Sequence, residues 1–297
     1  MVILFTILFV FLFPSNAFCW GPITHIDFAV EVLNLSQYVA PRIAELIMTF
    51  PYDYLYGNIG ADIVIGKNFT EYEYHCHNWL IGFQVLKSAR SNHQKAFAYG
   101  YISHLAADVI AHNYFVPNKI ITSYRKKLLP HPYWEIRFEK MIDESSANII
   151  GKTFKQRHVD DNDLLKATLE KTLFSFSTNK RLFNGLMFMT RKKFLRGIFH
   201  SLTSDKKWGF TKEEFREYKL YSLDAVFDVL INIDKSIYTR FDPTGNELIN
   251  ASIGIRKQLN RLHKRGMLTD PLKQELTKTI IPHLQPGIYS LHEAHIK

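Results

Sequence analysis

The residues of this chain best suited to chemistry recur at every fourth position: His104, Asp108 and His112, in the stretch Ser103-His104-Leu105-Ala106-Ala107-Asp108-Val109-Ile110-Ala111-His112. On a helix, residues four apart lie one above the other on the same face. The three side chains therefore form a stripe two turns long with the carboxylate in the middle. Ile102, Leu105, Ala106, Val109, Ile110 and Ala111 make this helix apolar almost all round, which predicts that it is buried. Unpaired polar groups in a core cost roughly 2–7 kcal/mol each, so two imidazoles and a carboxylate there require a partner. A metal ion is one answer, since His nitrogen and Asp oxygen are good Zn²⁺ ligands. A core helix whose histidines are satisfied by hydrogen bonds is the other, and the stripe alone leaves both open.

Further candidates flank the stripe. Trp20-Gly21-Pro22-Ile23-Thr24-His25 offers an imidazole at the start of a helical pattern, with Thr24 a candidate N-cap and Asp27 in the first turn. Gly57-Asn58-Ile59-Gly60-Ala61-Asp62 lies in an aromatic, turn-rich stretch from Pro51, and such a loop can deliver Asp62 into a site or be ordinary turn chemistry. In His75-Cys76-His77-Asn78-Trp79 the two histidines would point the same way only on a strand, so in a helical chain one of them faces inward. His131-Pro132-Tyr133-Trp134-Glu135 repeats the four-residue interval. Pro132 suits a first helical turn, so His131 and Glu135 are either a metal-ligand pair or a capping arrangement.

The elements that must position these residues read as helices throughout. Ile26 to Leu33, Arg42 to Thr49 behind Pro41, Phe83 to Leu86 and Ala96 to Tyr101 lead into the stripe. Asp160 to Leu173, Lys180 to Phe199, Thr211 to Ile233 and Leu248 to Leu262 follow it. Phe194, Leu195, Ile198 and Phe199 read as core, and Arg191-Lys192-Lys193 and Lys206-Lys207 as solvated faces. No internal repeat, Gly-rich phosphate loop or strand-rich region is present, and the fold class is all-α. The chain has 297 residues with 46% hydrophobic and 14% aromatic content, which excludes disorder and suffices for a packed core.

The formal charge of +9 is unevenly placed. Residues 1–150 hold 11 Lys and Arg against 12 Asp and Glu, a balance of −1, and residues 151–297 hold 26 against 16, a balance of +10. That basic half either favours anionic partners, phospholipid head groups or nucleic acid, or is an ordinary solvated helical surface. Met1 to Cys19 carries no charged side chain, and Val2 to Phe13 is apolar apart from Thr6, too short to span a membrane comfortably. Ala17 and Cys19 stand at the −3 and −1 positions of a signal cleavage site, so the segment reads as an export signal whose removal exposes Trp20. Only Cys76 then remains, and no intramolecular disulfide can form. The organisation read here is a signal peptide (1–19), a core (20–150) and a basic helical part (151–297) packed on the same domain. No obligate protein partner is indicated.

Taken in order, Trp20, His25, Asp62, His77, the stripe, and His131 with Glu135 resemble the zinc-dependent phospholipase C family, whose helical architecture is shared with P1/S1-type single-strand nucleases. The resemblance covers roughly Trp20 to Glu139 and joins several independent features: cleavage that exposes a tryptophan, His five positions later, Gly-x-x-x-x-Asp followed by His-x-Trp, His-x-x-x-Asp with a further His, and His-x-x-x-Glu. It implies up to three zinc ions. Asp108 would bridge two, one also held by Asp62, His77 and His104, the other by His25 and the free amine and carbonyl of Trp20. The third would take His112, His131 and Glu135. Zinc with open positions acidifies a bound water into a hydroxide nucleophile, with Asp62 as an alternative general base. The implied protein is an exported, secreted or periplasmic, phosphodiesterase acting on phospholipid. A single-strand nuclease and a non-catalytic zinc-stabilised binding protein are the alternatives. His112 lies four residues after Asp108, whereas secreted bacterial members usually place it six on. The shorter interval resembles the related domain of glycosylphosphatidylinositol-specific phospholipases.

Overall fold

The computed structural model describes residues 20–63, 75–125, 131–169, 175–190, 210–269 and 271, with the backbone alone at 131–132 and 186–190. Every regular element among them is helical, so the fold is all-α. In chain order they are α1 (Pro22–Asn34), α2 (Pro41–Thr49), α3 (Pro51–Gly60), α4 (Trp79–Ser88), α5 (Asn92–Ile110), a π-helical turn (Ala111–Phe115), α6 (Val116–Thr122), α7 (His131–Glu139), α8 (Glu144–Thr153), α9 (Val159–Thr168), α10 (Phe176–Thr190), α11 (Lys212–Asn232) and α12 (Asn246–Lys264).

Helix α5 is the axis of the molecule, and α1, α2, α3, α4, α9 and α11 all pack on it. Its start is fixed by a capping box in which the Ser91 hydroxyl accepts from the Gln94 amide and the Gln94 side chain reaches back to the Ser91 amide. From Gly100 to Ile110 every residue is buried, as the apolar pattern requires. One core cluster joins Trp20, Phe28 and Tyr101 of the front half to Leu164, Phe183, Phe210 and Val226 of the back half. No helix among the described residues is long and apolar enough to cross a membrane.

Helices α3 and α5 approach each other closely. A Cβ built on Gly57 would lie 2.0 Å from the Phe97 carbonyl oxygen, and one on Gly100 would lie 2.1 Å from the Tyr54 carbonyl oxygen. Two glycines facing each other thus let these helices meet backbone to backbone. The stretch Pro51–Gly60, read from its glycines as a turn-rich loop, is therefore a helix, with Pro51 at its first position. Its glycines serve interhelical packing instead of turning the chain.

Other expectations shift for local reasons. Helix α1 begins at Pro22, with Gly21 as N-cap, so Thr24 lies buried inside the first turn instead of capping it. Asp27 consequently moves out of the first turn and pairs with Lys219 of α11 at 2.8 Å. Helix α8, unread in the sequence, is capped by the Asp143 carboxylate accepting from the Ser145 amide. Residues 1–19, the end of Asp160 to Leu173, the end of Lys180 to Phe199, and the clusters Arg191-Lys192-Lys193 and Lys206-Lys207 lie outside the described residues.

The glycine contact makes a stability prediction. Gly100→Ala is expected to lower the free energy of unfolding by about 3 kcal/mol, since the added methyl must push two backbones apart. Gly254→Ala on α12, where nothing lies within 4 Å of the new methyl, is expected to raise it by up to about 1 kcal/mol through helix propensity. Urea unfolding midpoints of the two variants should move in opposite directions.

Candidate metal centre

Asp108 sits in the last turn of α5, fully buried, and three imidazoles converge on it. His104, one turn earlier, brings Nε2 to 3.1 Å from Asp108 Oδ2. His77, in the turn before α4, brings Nε2 to 3.2 Å from the same oxygen. His25 of α1 approaches the other side, its Nε2 lying 3.3 Å from Oδ1. Asp62, in the 3₁₀ turn Ala61–Ile63 that follows α3, places Oδ1 3.3 Å from His77 Nε2.

These separations suit a cation better than hydrogen bonds. The His104 Nδ1–H donates to the Asn58 carbonyl at 2.8 Å, which leaves Nε2 as a lone pair. That lone pair faces His77 Nε2 at 2.9 Å. Both oxygens of Asp108 and both ring nitrogens of His25 are buried with no hydrogen bond of acceptable geometry. Ligands about 2.0–2.1 Å from a tetrahedral zinc stand about 3.3 Å from one another, and the Asp62–His77, His77–Asp108 and His104–Asp108 edges are 3.3, 3.2 and 3.1 Å. The residues present therefore fit zinc, and the second Asp108 oxygen with His25 offers the start of a further position.

The electrostatics agree. Burial alone would raise the Asp108 carboxyl, but the imidazoles of His104, His25 and His77 hold it well below the usual carboxylate range. Burial, reinforced by the stacked His104 ring, pushes the His25 imidazole down to about 4, so it stays neutral and able to ligate. Glu135 behaves oppositely. Burial drives its carboxyl well above the usual range, against the pull of His112. A carboxyl in that position becomes an anion only when a cation joins it.

His112 and Glu135 form a neighbouring pair, with Nε2 and Oε1 3.7 Å apart. The α5 pattern does not continue unchanged through His112. It enters the π turn, in which the Val116 amide bonds the Ala111 carbonyl five residues back, and such underwound turns collect at functional sites. The His112 Nδ1–H donates to the Pro243 carbonyl at 2.5 Å. Asn113 Nδ2 donates to Asp242 O at 2.8 Å, and Trp79 Nε1 donates to Phe241 O at 2.9 Å. Gly245, at φ 56°, lies so close that a Cβ there would be 2.5 Å from the His112 Cβ. A strap from the back half, residues 241–245, thus fixes the orientation of a front-half histidine.

Of the two candidates at 75 and 77, His77 enters the cluster. The His75 ring instead accepts the His77 backbone amide at 3.1 Å, and the Cys76 sulfur lies 3.3 Å from His77 Nδ1. The Trp20 indole donates to the Ala107 carbonyl at 3.0 Å and lies against Phe115 and Phe138, which anchors the start of α1 beside Asp108. His131 begins α7, and its side chain lies outside the described residues. Sequence reasoning missed the carbonyls of Asn58 and Pro243 that aim the imidazoles, since a backbone acceptor has no residue signature. The Pro243-Thr244-Gly245 turn was the only available cue. It also missed Glu139, whose carboxylate accepts from the Ile23 amide at 3.2 Å in the first turn of α1.

A family model for zinc-dependent phospholipase C matches residues 22–184, more than half of the chain. No curated protein and no solved structure matches it.

Two measurements follow from the orphaned ligand atoms. Chelation should destabilise the protein, and returning zinc to a hundred times its dissociation constant should restore about 2.7 kcal/mol, seen as a rise in melting temperature. In the chelated protein, His25 refuses a proton down to about pH 4 when folded but accepts one near 6.5 when unfolded. Its contribution is complete above pH 6.5 and shrinks as pH falls toward 4. Denaturant midpoints should show this slope for wild type and a shallower one for His25→Gln.

Proposed function

The chain belongs to the zinc-dependent phospholipase C family, and from that premise we propose that it is an exported phosphodiesterase that hydrolyses phospholipids in the manner of phospholipase C. The observation that carries the reading is Asp108, an ionised carboxylate buried without a hydrogen bond and faced by three imidazole nitrogens. We assign Asp62, His77, His104 and Asp108 to one zinc. Asp108 and His25 belong to a second, with the amine and carbonyl of Trp20 once residues 1–19 have been removed. His112, His131 and Glu135 belong to a third. Zinc held there supplies Lewis acidity toward phosphoryl oxygens and a water acidified to near neutrality.

The chain's own residues set the geometry for that chemistry. The Asn58 and Pro243 carbonyls hold His104 and His112 in the tautomer that turns Nε2 toward the centre. Asp62, with 8% of its side chain exposed, is less enclosed than Asp108 at 0%. As the alternative to its ligand role, it stands where a general base could take a proton from water and pass it to solvent. The Asp108 carboxyl, held well below the usual carboxylate range by the facing imidazoles, would supply the anionic oxygens that hold a cation there.

Single-strand nuclease chemistry on the same centre is the second reading, and the +10 balance of residues 151–297 suits nucleic acid as well as an anionic membrane, so charge does not decide between them. Phosphorus NMR of mixed phospholipid vesicles, incubated with zinc-loaded protein beginning at Trp20, separates the possibilities. A soluble phosphomonoester such as phosphocholine is the expected product. Phosphatidic acid would mean cleavage on the other side of phosphorus, and an unchanged spectrum with zinc bound would favour nucleic acid or a non-catalytic zinc-stabilised role. Asp108→Asn should abolish both zinc loading and hydrolysis. Asp62→Asn should lower kcat by about a hundredfold or more, in line with loss of general-base assistance.

A further inference from the structure

A second cluster of ligating side chains lies away from the centre just described, where α3 meets the start of α9. His158, the N-cap residue of α9, brings Nδ1 to 3.1 Å from Asp161 Oδ2 and 3.6 Å from Asp53 Oδ1. Asp53 stands near the N-terminal end of α3, and Asp62 just past its C-terminal end. Nine residues of helical rise, roughly 13 Å, separate the two along the chain.

The His158 ring is held in one orientation. Its Nε2–H donates to the Thr153 carbonyl at 2.9 Å, which turns Nδ1 toward two carboxylates: as a lone pair when the ring is neutral, as an N–H donor to Asp161 Oδ2 when it is charged. Tyr56 stacks on the ring at 3.9 Å and 14° and donates its hydroxyl to Asn162 Oδ1 at 2.8 Å. The second oxygen of Asp53 accepts from His93 at 2.9 Å. Asp161 is 1% exposed, and its Oδ1 is buried with no hydrogen-bond partner. With the ring neutral, three acceptors look at one another and one buried carboxylate oxygen is unsatisfied, an arrangement that calls for positive charge among them, either a metal ion or a second proton on the ring. The observed edges of 3.1 and 3.6 Å bracket the value of about 3.3 Å expected around a tetrahedral zinc.

We propose that Asp53, His158 and Asp161 form a further divalent-metal site of zinc type, which ties the start of α9 to the α3 helix. One imidazole and two carboxylates neutralise a dication and leave a coordination position beside Asp53, whose side chain is 14% exposed. The rival occupant is a second proton on His158. Although burial opposes it, the carboxylates of Asp161 and Asp53 raise this imidazole to about 9, so the metal-free ring is charged at neutral pH. A simple helix cap would use His158 and Asp161 but has no need of Asp53 from another helix.

Zinc counting and nitrogen NMR test the site without reference to activity. Metal content after equilibrium dialysis should fall by one equivalent per chain in Asp53→Asn and in Asp161→Asn relative to wild type, whatever number the Asp108 centre holds. In the unaltered protein at neutral pH, zinc should convert the His158 ring from a doubly protonated signature to one with Nδ1 metal-bound and Nε2 protonated. This second measurement does not depend on any variant folding. If His158 keeps its imidazolium signature at saturating zinc, or both variants retain the wild-type metal content, the cluster holds a proton and the proposal is overturned.

Discussion

The constraint on which this structure turns is an ionised carboxylate in its driest place. Moving such a group from water to a medium of low dielectric costs of order 20 kcal/mol in the idealised limit, and still several after relaxation. Asp108 has no hydrogen bond to offset that cost, only nitrogen atoms at 3.1–3.3 Å. A chain that buries Asp108 must therefore bring positive charge to it, and α1, the turn at His77 and α5 itself are arranged to do so. The core and the chemistry are in this sense a single problem. The apolar shell of Ile102, Leu105, Val109 and Ile110 that excludes water from the carboxylate is also what makes cation binding there strong.

A second device recurs at three of the imidazoles. His104 gives its Nδ1–H to Asn58, His112 gives its Nδ1–H to Pro243, and His158 gives its Nε2–H to Thr153, each time to a main-chain carbonyl. A carbonyl borrowed from packed backbone is a rigid acceptor and does not titrate, so it fixes both tautomer and rotamer. Close backbone approach is what makes such carbonyls available. Gly57 and Gly100 bring α3 against α5, and Asn58 stands next to that contact. Gly245 likewise lets the strap lie directly on His112.

This division explains what could be read from the sequence. The helical class and the buried stripe were legible because apolar periodicity and ligand type are properties of side chains, whereas the gathering of His25, Asp62, His77, His104 and Asp108 was implied by the resemblance to the family. The orienting carbonyls were not, since any residue supplies one. Pro51–Gly60 was misread as a loop because glycine serves both turns and tight helix packing, and only the partner helix distinguishes the two uses. The π turn was equally hidden: residues 111–115 themselves carry no breaker, and the helix disturbance comes with Pro117 just beyond them, which cannot donate to the Asn113 carbonyl. Asp53, His158 and Asp161 escaped notice for a similar reason. They are scattered over two helices, and His158 with Asp161 looks like an ordinary cap.

The strap has a consequence for how the molecule comes together. The contact of α3 with α5 joins residues about forty apart, whereas the bonds from the strap to His112 and Trp79 span 131 and 162 residues. Entropy of loop closure and the general slowing that accompanies distant pairings place the strap among the late events of folding. A nascent chain can thus assemble the Asp62, His77, His104 and Asp108 cluster while His112 still swings freely. The last corner of the centre then closes only when nearly the whole chain has been made, which gives the fold a built-in order of assembly from metal cradle to finished site.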